Sequence, residues 1–185
     1  KDRPVLILLP GSRQQEIDHH WPIFLDTISE LNKKFPGLQS VVIKSSHVKL
    51  VPMPEHIKIE HSSESAMQNG TAAICSSGTA TLECAVANLP TVVCYKMSYL
   101  NWVLFNLLGK VKYISIVNLI AKKKIIPELI QHKMTTKNII KKIFPFLDIK
   151  SKKRMKTVKH FDALRKNLGQ RGVFDRIANF ILREN

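Results

Sequence analysis

Four short, continuously apolar runs dominate the N-terminal part of the chain: PVLILL (residues 4–9), QSVVIKS (39–45), TAAICS (71–76) and TVVCYK (91–96). A strand that is apolar without alternation must be covered on both faces, which happens where helices flank a parallel sheet. A fifth run, HIKIEHS (56–62), alternates as a shorter strand does. Helical spacing fills two of the intervals: Ile23, Phe24, Ile28, Leu31 and Phe35 predict a helix over about Pro22 to Phe35, and TATLECAVAN predicts another, stopped at Asn88-Leu89-Pro90. The expectation is a Rossmann-like parallel sheet flanked by helices. After Lys96 the pattern reads as helical to the end, with tail helices from about residue 136. At 185 residues the chain fits a single domain, 1–185, with room for a real core. It opens on Lys-Asp-Arg-Pro directly before a strand, without an initiating Met, and reads as a piece of something longer.

Three cysteines, Cys75, Cys84 and Cys94, match no metal-binding spacing and are too few and odd for a disulfide framework, so a reducing cytoplasm is expected. No signal peptide is visible, and the strongest apolar stretch, WVLFNLLG (102–109), is far short of the ~18 residues that span a bilayer. Charge is unevenly placed. Residues 110–171 hold 18 Lys and Arg against 3 acidic residues, while the remainder balances at 11 against 11. Such a block suits an anionic partner: nucleic-acid phosphate, lipid headgroups or a phosphorylated substrate. A solvated lysine-rich face accounts for it equally well.

Two strand ends carry candidate chemistry. In VLILLPGSRQQEI (5–17), Gly11 permits a tight turn, Ser12 with Gln15 has capping-box spacing, and Arg13 falls at the positive end of the next helix, where a guanidinium can fork onto phosphate. A plain cap and a surface charge would explain the same residues. CSSGTATLE (75–83) repeats the arrangement, with Ser77, Gly78 and Thr79 offering hydroxyls and close backbone access before a helix. Neither loop is GxGxxG or a Walker sequence. Glu83 can accept from a ribose diol or simply favour a helix start. His19 and His20, adjacent near a helix start, are expected at the surface. With no DxD pair and no histidine cluster, no metal or cofactor is expected.

Taken together, LLPGSRxxEI, SSGTATLE, NLPTVVCYK, YISIVNLIA and IIPELIQ resemble the C-terminal half of the lipid-A-disaccharide synthases, glycosyltransferases of GT-B architecture, over residues 4 to about 182. The resemblance implies a UDP-sugar-binding domain, one half of a GT-B fold, with the acceptor-binding domain and the catalytic base on an N-terminal half absent from this chain. It implies transfer of a 2,3-diacylglucosamine unit from UDP to a 2,3-diacylglucosamine 1-phosphate acceptor. Arg13 would approach the diphosphate, with Gly11 and Ser12 in its turn. Ser77, Gly78 and Thr79 would cradle phosphate, and Glu83 would face the ribose. Asn118, Glu128 and Gln131 match cleft positions, and the loop Ser62–Met67 would read uracil. Where the family commonly has PNLLAGR this chain has VNLIAKK: Val117 for Pro, Lys122 for Gly and Lys123 for Arg. The lysine at 123 loses the guanidinium fork, and the one at 122 loses the residue that takes positive φ most easily.

Acylated substrates give the stretch 95–113 a second meaning. Tyr99, Leu100, Trp102, Val103, Phe105 and Leu107 are candidate membrane-contact residues on an apolar face that lysines flank, although a helix packed in a core has the same pattern. The expected location is cytoplasmic, peripheral on the inner face of the bacterial inner membrane. A closing stripe, Phe174, Ile177, Phe180 and Ile181, suits a homodimer if no second domain covers it. Two alternatives remain at this stage: another UDP-sugar enzyme of the same architecture, such as an N-acetylglucosaminyl transferase or a sugar-nucleotide epimerase, and a basic nucleic-acid-binding module. The second rests on charge alone, and nucleic acid is not expected as a partner.

Overall fold

The computed structural model describes residues 3–97 and 112–168. Six parallel strands form one sheet: β1 (Val5–Leu9), β2 (Gln39–Ile43), β3 (Ile57–Glu60), β4 (Ala72–Ser76), β5 (Thr91–Tyr95) and β6 (Glu128–Ile130). Their spatial order is β3-β2-β1-β4-β5-β6. The order reverses between β1 and β4, where register pairs Leu9 with Cys75. In such sheets the crevice at that reversal, beyond the carboxyl ends of the strands, is where ligands lodge.

The apolar runs are continuous because both faces are covered. Leu6 and Leu8 of β1 point into a core shared with α1 (Gln14–Lys34) and α5 (Thr136–Leu147), while Ile7 and Leu9 point into one under α2 (Ser63–Asn69) and α3 (Ala80–Val86). A third cluster joins α3 to α4 (Ile116–Ala121) and α6 (Lys152–Asn167) through Ala85, Val117, Phe161 and Leu164. The expected tail helices from about residue 136 therefore belong to the core as far as α6. The third tail helix and its stripe, and the candidate membrane-contact residues Tyr99 to Leu107, lie outside the described residues.

Four local expectations need correction. Helix α1 begins at Gln14, not near Pro22, and runs through the proline. The reason is a stripe that starts earlier: Ile17, Trp21, Phe24, Ile28 and Leu31 recur at three- and four-residue steps and are all buried. Burying that face outweighs the one amide that exposed Pro22 cannot donate. Secondly, Arg13, not Ser12, is the N-cap residue, and no side chain closes the cap. Thirdly, the segment after β3 is helical, as α2, where a loop was expected. Fourthly, the chain after Lys96 is not wholly helical: Glu128–Ile130 adds the edge strand β6, too short to show a period. Lys122 also keeps the left-handed backbone that the missing glycine would have favoured, with φ 51° at the end of α4.

Candidate functional site

Because all strands run parallel, the segments after β1, β2, β3, β4 and β5 open on one edge of the sheet. They enclose a cleft of about 520 Å³, lined by Gly11, Ser12 and Arg13 from the first loop and by Ser76 to Ala80 from the second, with Glu83 beside them. The two loops singled out in the sequence thus face one space. Parallel neighbours lie ~4.8 Å apart, so adjacency of β1 and β4 brings the turns together without long side chains. A second hollow of about 450 Å³ adjoins the first through Arg13, Glu16 and Tyr95, and adds His19, Lys96 and Met97.

The two glycines serve different purposes. Gly11 has φ 131°, and a Cβ there would come within 2.9 Å of the Glu16 Cβ, so the turn itself demands glycine. Gly78 has no such backbone, and a Cβ built on it meets nothing within 4 Å. The fold does not require a glycine at 78. What its absent side chain does is leave the cleft open where the backbone comes to the surface.

Electrostatically the cleft combines two cations and a helix start with the carboxylates of Glu16 and Glu83. It lies at the positive end of the 21-residue helix α1, whose Gln14 and Gln15 amides precede the first intrahelical bonds. Arg13 and Lys44 line its wall. Glu83, exposed at the first turn of α3, lines both this cleft and a groove toward α2 that contains Ser63, Met67 and Leu82. The Ser77 hydroxyl donates to the Ile114 carbonyl at 2.9 Å, which commits its proton to the scaffold.

Asn118, Glu128 and Gln131 sit one layer behind. Asn118 is fully buried: its amide donates to the Ile126 carbonyl and to Glu128 Oε1, both at 2.9 Å, while its oxygen accepts from the amides of Ile125 (2.7 Å) and Ile126 (3.1 Å). Glu128 Oε1 also accepts from the Ser115 amide (2.9 Å) and hydroxyl (2.6 Å). Gln131 clasps Met97, accepting from its amide and donating to its carbonyl. None of the three lines the cleft described above. Asn118 and Glu128 hold the segment 114–118 in place, Gln131 holds Met97, and through Ile114 the first of these anchors the Ser77 loop.

Sequence reasoning missed Lys44, His61 and Tyr95 as cleft residues. The available signal was position alone: each follows or ends a predicted strand at its carboxyl end. His20 also departs from expectation. His19 is exposed, but His20 is fully buried, hydrogen-bonded at both ring nitrogens. The three cysteines are free and buried. The hydrogen-bonded neighbour Cys84 and burial push the Cys75 thiol up, and burial does the same to Cys94, so neither supplies a thiolate.

Comparison with known proteins finds relatives both by sequence and by fold. The sequence profile of the lipid-A-disaccharide synthetase family matches residues 1–175. The lipid-A-disaccharide synthase of Psychromonas ingrahamii is 33% identical over 79% of this chain, and that of Gloeothece citriformis 30% identical over 98%. The chain spans about half the length of these relatives, 41% and 50% respectively. Among solved structures, spinosyn forosaminyltransferase SpnP superposes with a TM-score of 0.59 at 11% identity, covering 97% of this chain and 44% of that one. The glycosyltransferase SnogD from Streptomyces nogalater gives a TM-score of 0.55 at 13% identity, covering 88% and 39%. Those two likenesses establish the fold, a parallel sheet flanked by helices as found in one half of GT-B glycosyltransferases. With the profile match over most of its length, this chain belongs to the lipid-A-disaccharide synthetase family.

Proposed function

We propose that this chain is the donor-binding half of a lipid-A-disaccharide synthase, and that the cleft holds the diphosphate of a UDP-2,3-diacylglucosamine donor. The observation that carries the reading is the meeting of the Pro-Gly-Ser-Arg turn and the Ser-Ser-Gly-Thr turn at the reversal point of the sheet, beside the start of α1. Arg13 meets the phosphates as a fork, Gly78 lets them approach the backbone, Thr79 offers its hydroxyl, and Glu83 accepts from the ribose. Uracil lies toward Ser63 at the start of α2. Asn118, Glu128 and Gln131 act through the backbone they hold.

In the reaction, the sugar passes with inversion to the 6-hydroxyl of 2,3-diacylglucosamine 1-phosphate, and UDP leaves. Fixed positive charge at the departing diphosphate costs no reorganisation as its charge grows, and is often the largest catalytic contribution. The acceptor site and base belong to the half outside this chain.

Membrane contact is part of the same proposal. No helix among the described residues is long and apolar enough to cross a membrane. Lysines of α5 and α6 neighbour exposed Phe144, Ile149 and Met155 along the chain, a combination suited to an anionic bilayer surface. Pairing through the C-terminal stripe remains the proposed route to a dimer.

Calorimetric titration with UDP-N-acetylglucosamine tests the site. Arg13→Ala is expected to weaken binding about 10- to 100-fold, the value of a charge-assisted hydrogen bond or two. Gly78→Ala is expected to weaken it while leaving the unfolding midpoint unchanged, because the added methyl group enters open cleft and not the core. Unaltered affinity in both variants places the nucleotide elsewhere.

A further inference from the structure

The fully buried imidazole of His20 joins two cleft walls that the sheet does not pair. Its Nδ1 lies 2.8 Å from the carbonyl oxygen of Pro10, in the turn after β1, and its Nε2 lies 3.0 Å from the amide nitrogen of Lys96, just after β5. Strand β4 stands between β1 and β5, so no ladder bond links them. The partners determine the tautomer. A carbonyl can only accept, so Nδ1 carries the proton; an amide can only donate, so Nε2 is bare. Phe24 and Tyr95 stack or tilt against the ring, with centroids 6.2 and 6.1 Å away. What the tie holds is the site itself: Arg13 follows the Pro10 turn, and Tyr95 and Lys96 line the facing wall.

We propose that His20 is a positioning residue of the nucleotide cleft, its neutral Nδ1–H form clamping the Pro-Gly turn to the end of β5, and that acid opens the β5 side of this clamp. The proposal rests on the nucleotide reading above. Protonation would set an Nε2–H against the Lys96 amide, two donors facing each other, while the Pro10 bond survives. Burial pushes the His20 pKa below its ordinary value of 6.5; the Pro10 carbonyl raises it, as does the Lys96 backbone contact, and the charges of His19 and Lys96 lower it. Arg13 and Glu16 are the other charged groups of the adjoining hollow, and Tyr95 the other titratable one. Above the ordinary histidine range the ring is neutral in folded and unfolded chains, and the clamp is whole. As pH falls below it the unfolded chain takes up the proton first, so stability declines; below the lowered folded value the native ring protonates and releases Lys96.

The test compares wild type with His20→Leu, which keeps an apolar side chain in the same space and removes both bonds. UDP-N-acetylglucosamine is the probe because its diphosphate, esterified at both ends, does not titrate near neutrality. At about pH 8 the wild type is expected to bind roughly five- to tenfold more tightly, a fraction of what the two lost hydrogen bonds are worth to the fold. On acidification below the ordinary histidine range that gap narrows, because only the wild type has a Lys96 bond to lose, while its Pro10 bond remains. A ratio that stays constant with pH, or no gap at pH 8, overturns the proposal. Two measurements do not need the nucleotide. Amide exchange at Lys96 is expected to be at least about tenfold slower in wild type than in His20→Leu, since the bond protects it. Nitrogen NMR of the wild-type ring is expected to show the proton on Nδ1 at neutral pH. Equal exchange rates, or a proton on Nε2, overturn the clamp. Absence of nucleotide binding in wild type with both NMR results intact overturns the donor-site reading and leaves the clamp standing.

Discussion

Replacing Asn118 with alanine is expected to lower the unfolding free energy by about 3 kcal/mol, one of the two largest effects foreseen for a single substitution in this chain. The side chain is fully buried in α4 and makes four hydrogen bonds, two as donor and two as acceptor. Alanine leaves the amide and carbonyl of Ile126 without that partner and the Ile125 amide with only the Lys123 carbonyl, and a buried unpaired polar group costs ~1–3 kcal/mol. Glu128 loses a donor at the same time, although Ser115 still supplies two. Urea denaturation reads the loss directly as a lower midpoint at constant slope. A loss below about 1 kcal/mol would mean that water or a shifted backbone replaces the side chain. A second consequence is functional. The Ile114 carbonyl that holds Ser77 belongs to the segment this network secures, so nucleotide affinity is expected to fall even where the variant remains folded.

Gly11→Ala is expected to be comparably severe, by a different route. At φ 131° the backbone is in a region that side chains strain to occupy, worth ~1–3 kcal/mol for a non-glycine residue. A methyl group there also meets the Glu16 Cβ at 2.9 Å and its carboxylate oxygen at 2.5 Å. The carboxylate can swing away; the Cβ cannot, so shortening Glu16 to alanine does not rescue the variant. Either the turn rearranges, taking Arg13 with it, or α1 shifts at its first turn. The expected result is about 3 kcal/mol of lost stability together with loss of measurable nucleotide binding. Wild-type stability and affinity in Gly11→Ala would show that the turn tolerates another conformation. The contrast with Gly78→Ala is informative, because one glycine serves the backbone and the other is proposed to admit the ligand.

What could be read from the sequence alone was whatever repeats along the chain. Strands covered on both faces announce themselves as unbroken apolar runs, and β1, β2, β4 and β5 appear where those runs are. The two turns were legible because each joins small and hydroxyl-bearing residues directly to a strand end. Their adjacency was not, since strand order depends on how the helices pack, and no local pattern reports it. The start of α1 was hidden by Pro22, whose local preference the buried stripe from Ile17 to Leu31 overrides. Strand β6 has three residues and exists because β5 offers an edge, with Val93 opposite Glu128. Asn118 and Glu128 could be matched to the family's positions, but only coordinates show that their bonds point into the scaffold. His20 was least legible of all: a histidine beside an exposed histidine carries no local sign that its two nitrogens bridge elements far apart in the chain.

The most direct test of the central claim is an NMR titration of the isotopically labelled chain with UDP-N-acetylglucosamine, following backbone amides. A diphosphate seated between the two turns is expected to move the amides of Gly11 to Arg13 and those of Ser76 to Thr79 together, along one saturation curve. Shifts confined to one of the two turns, or gathered instead on the lysines of α5 and α6, would contradict it.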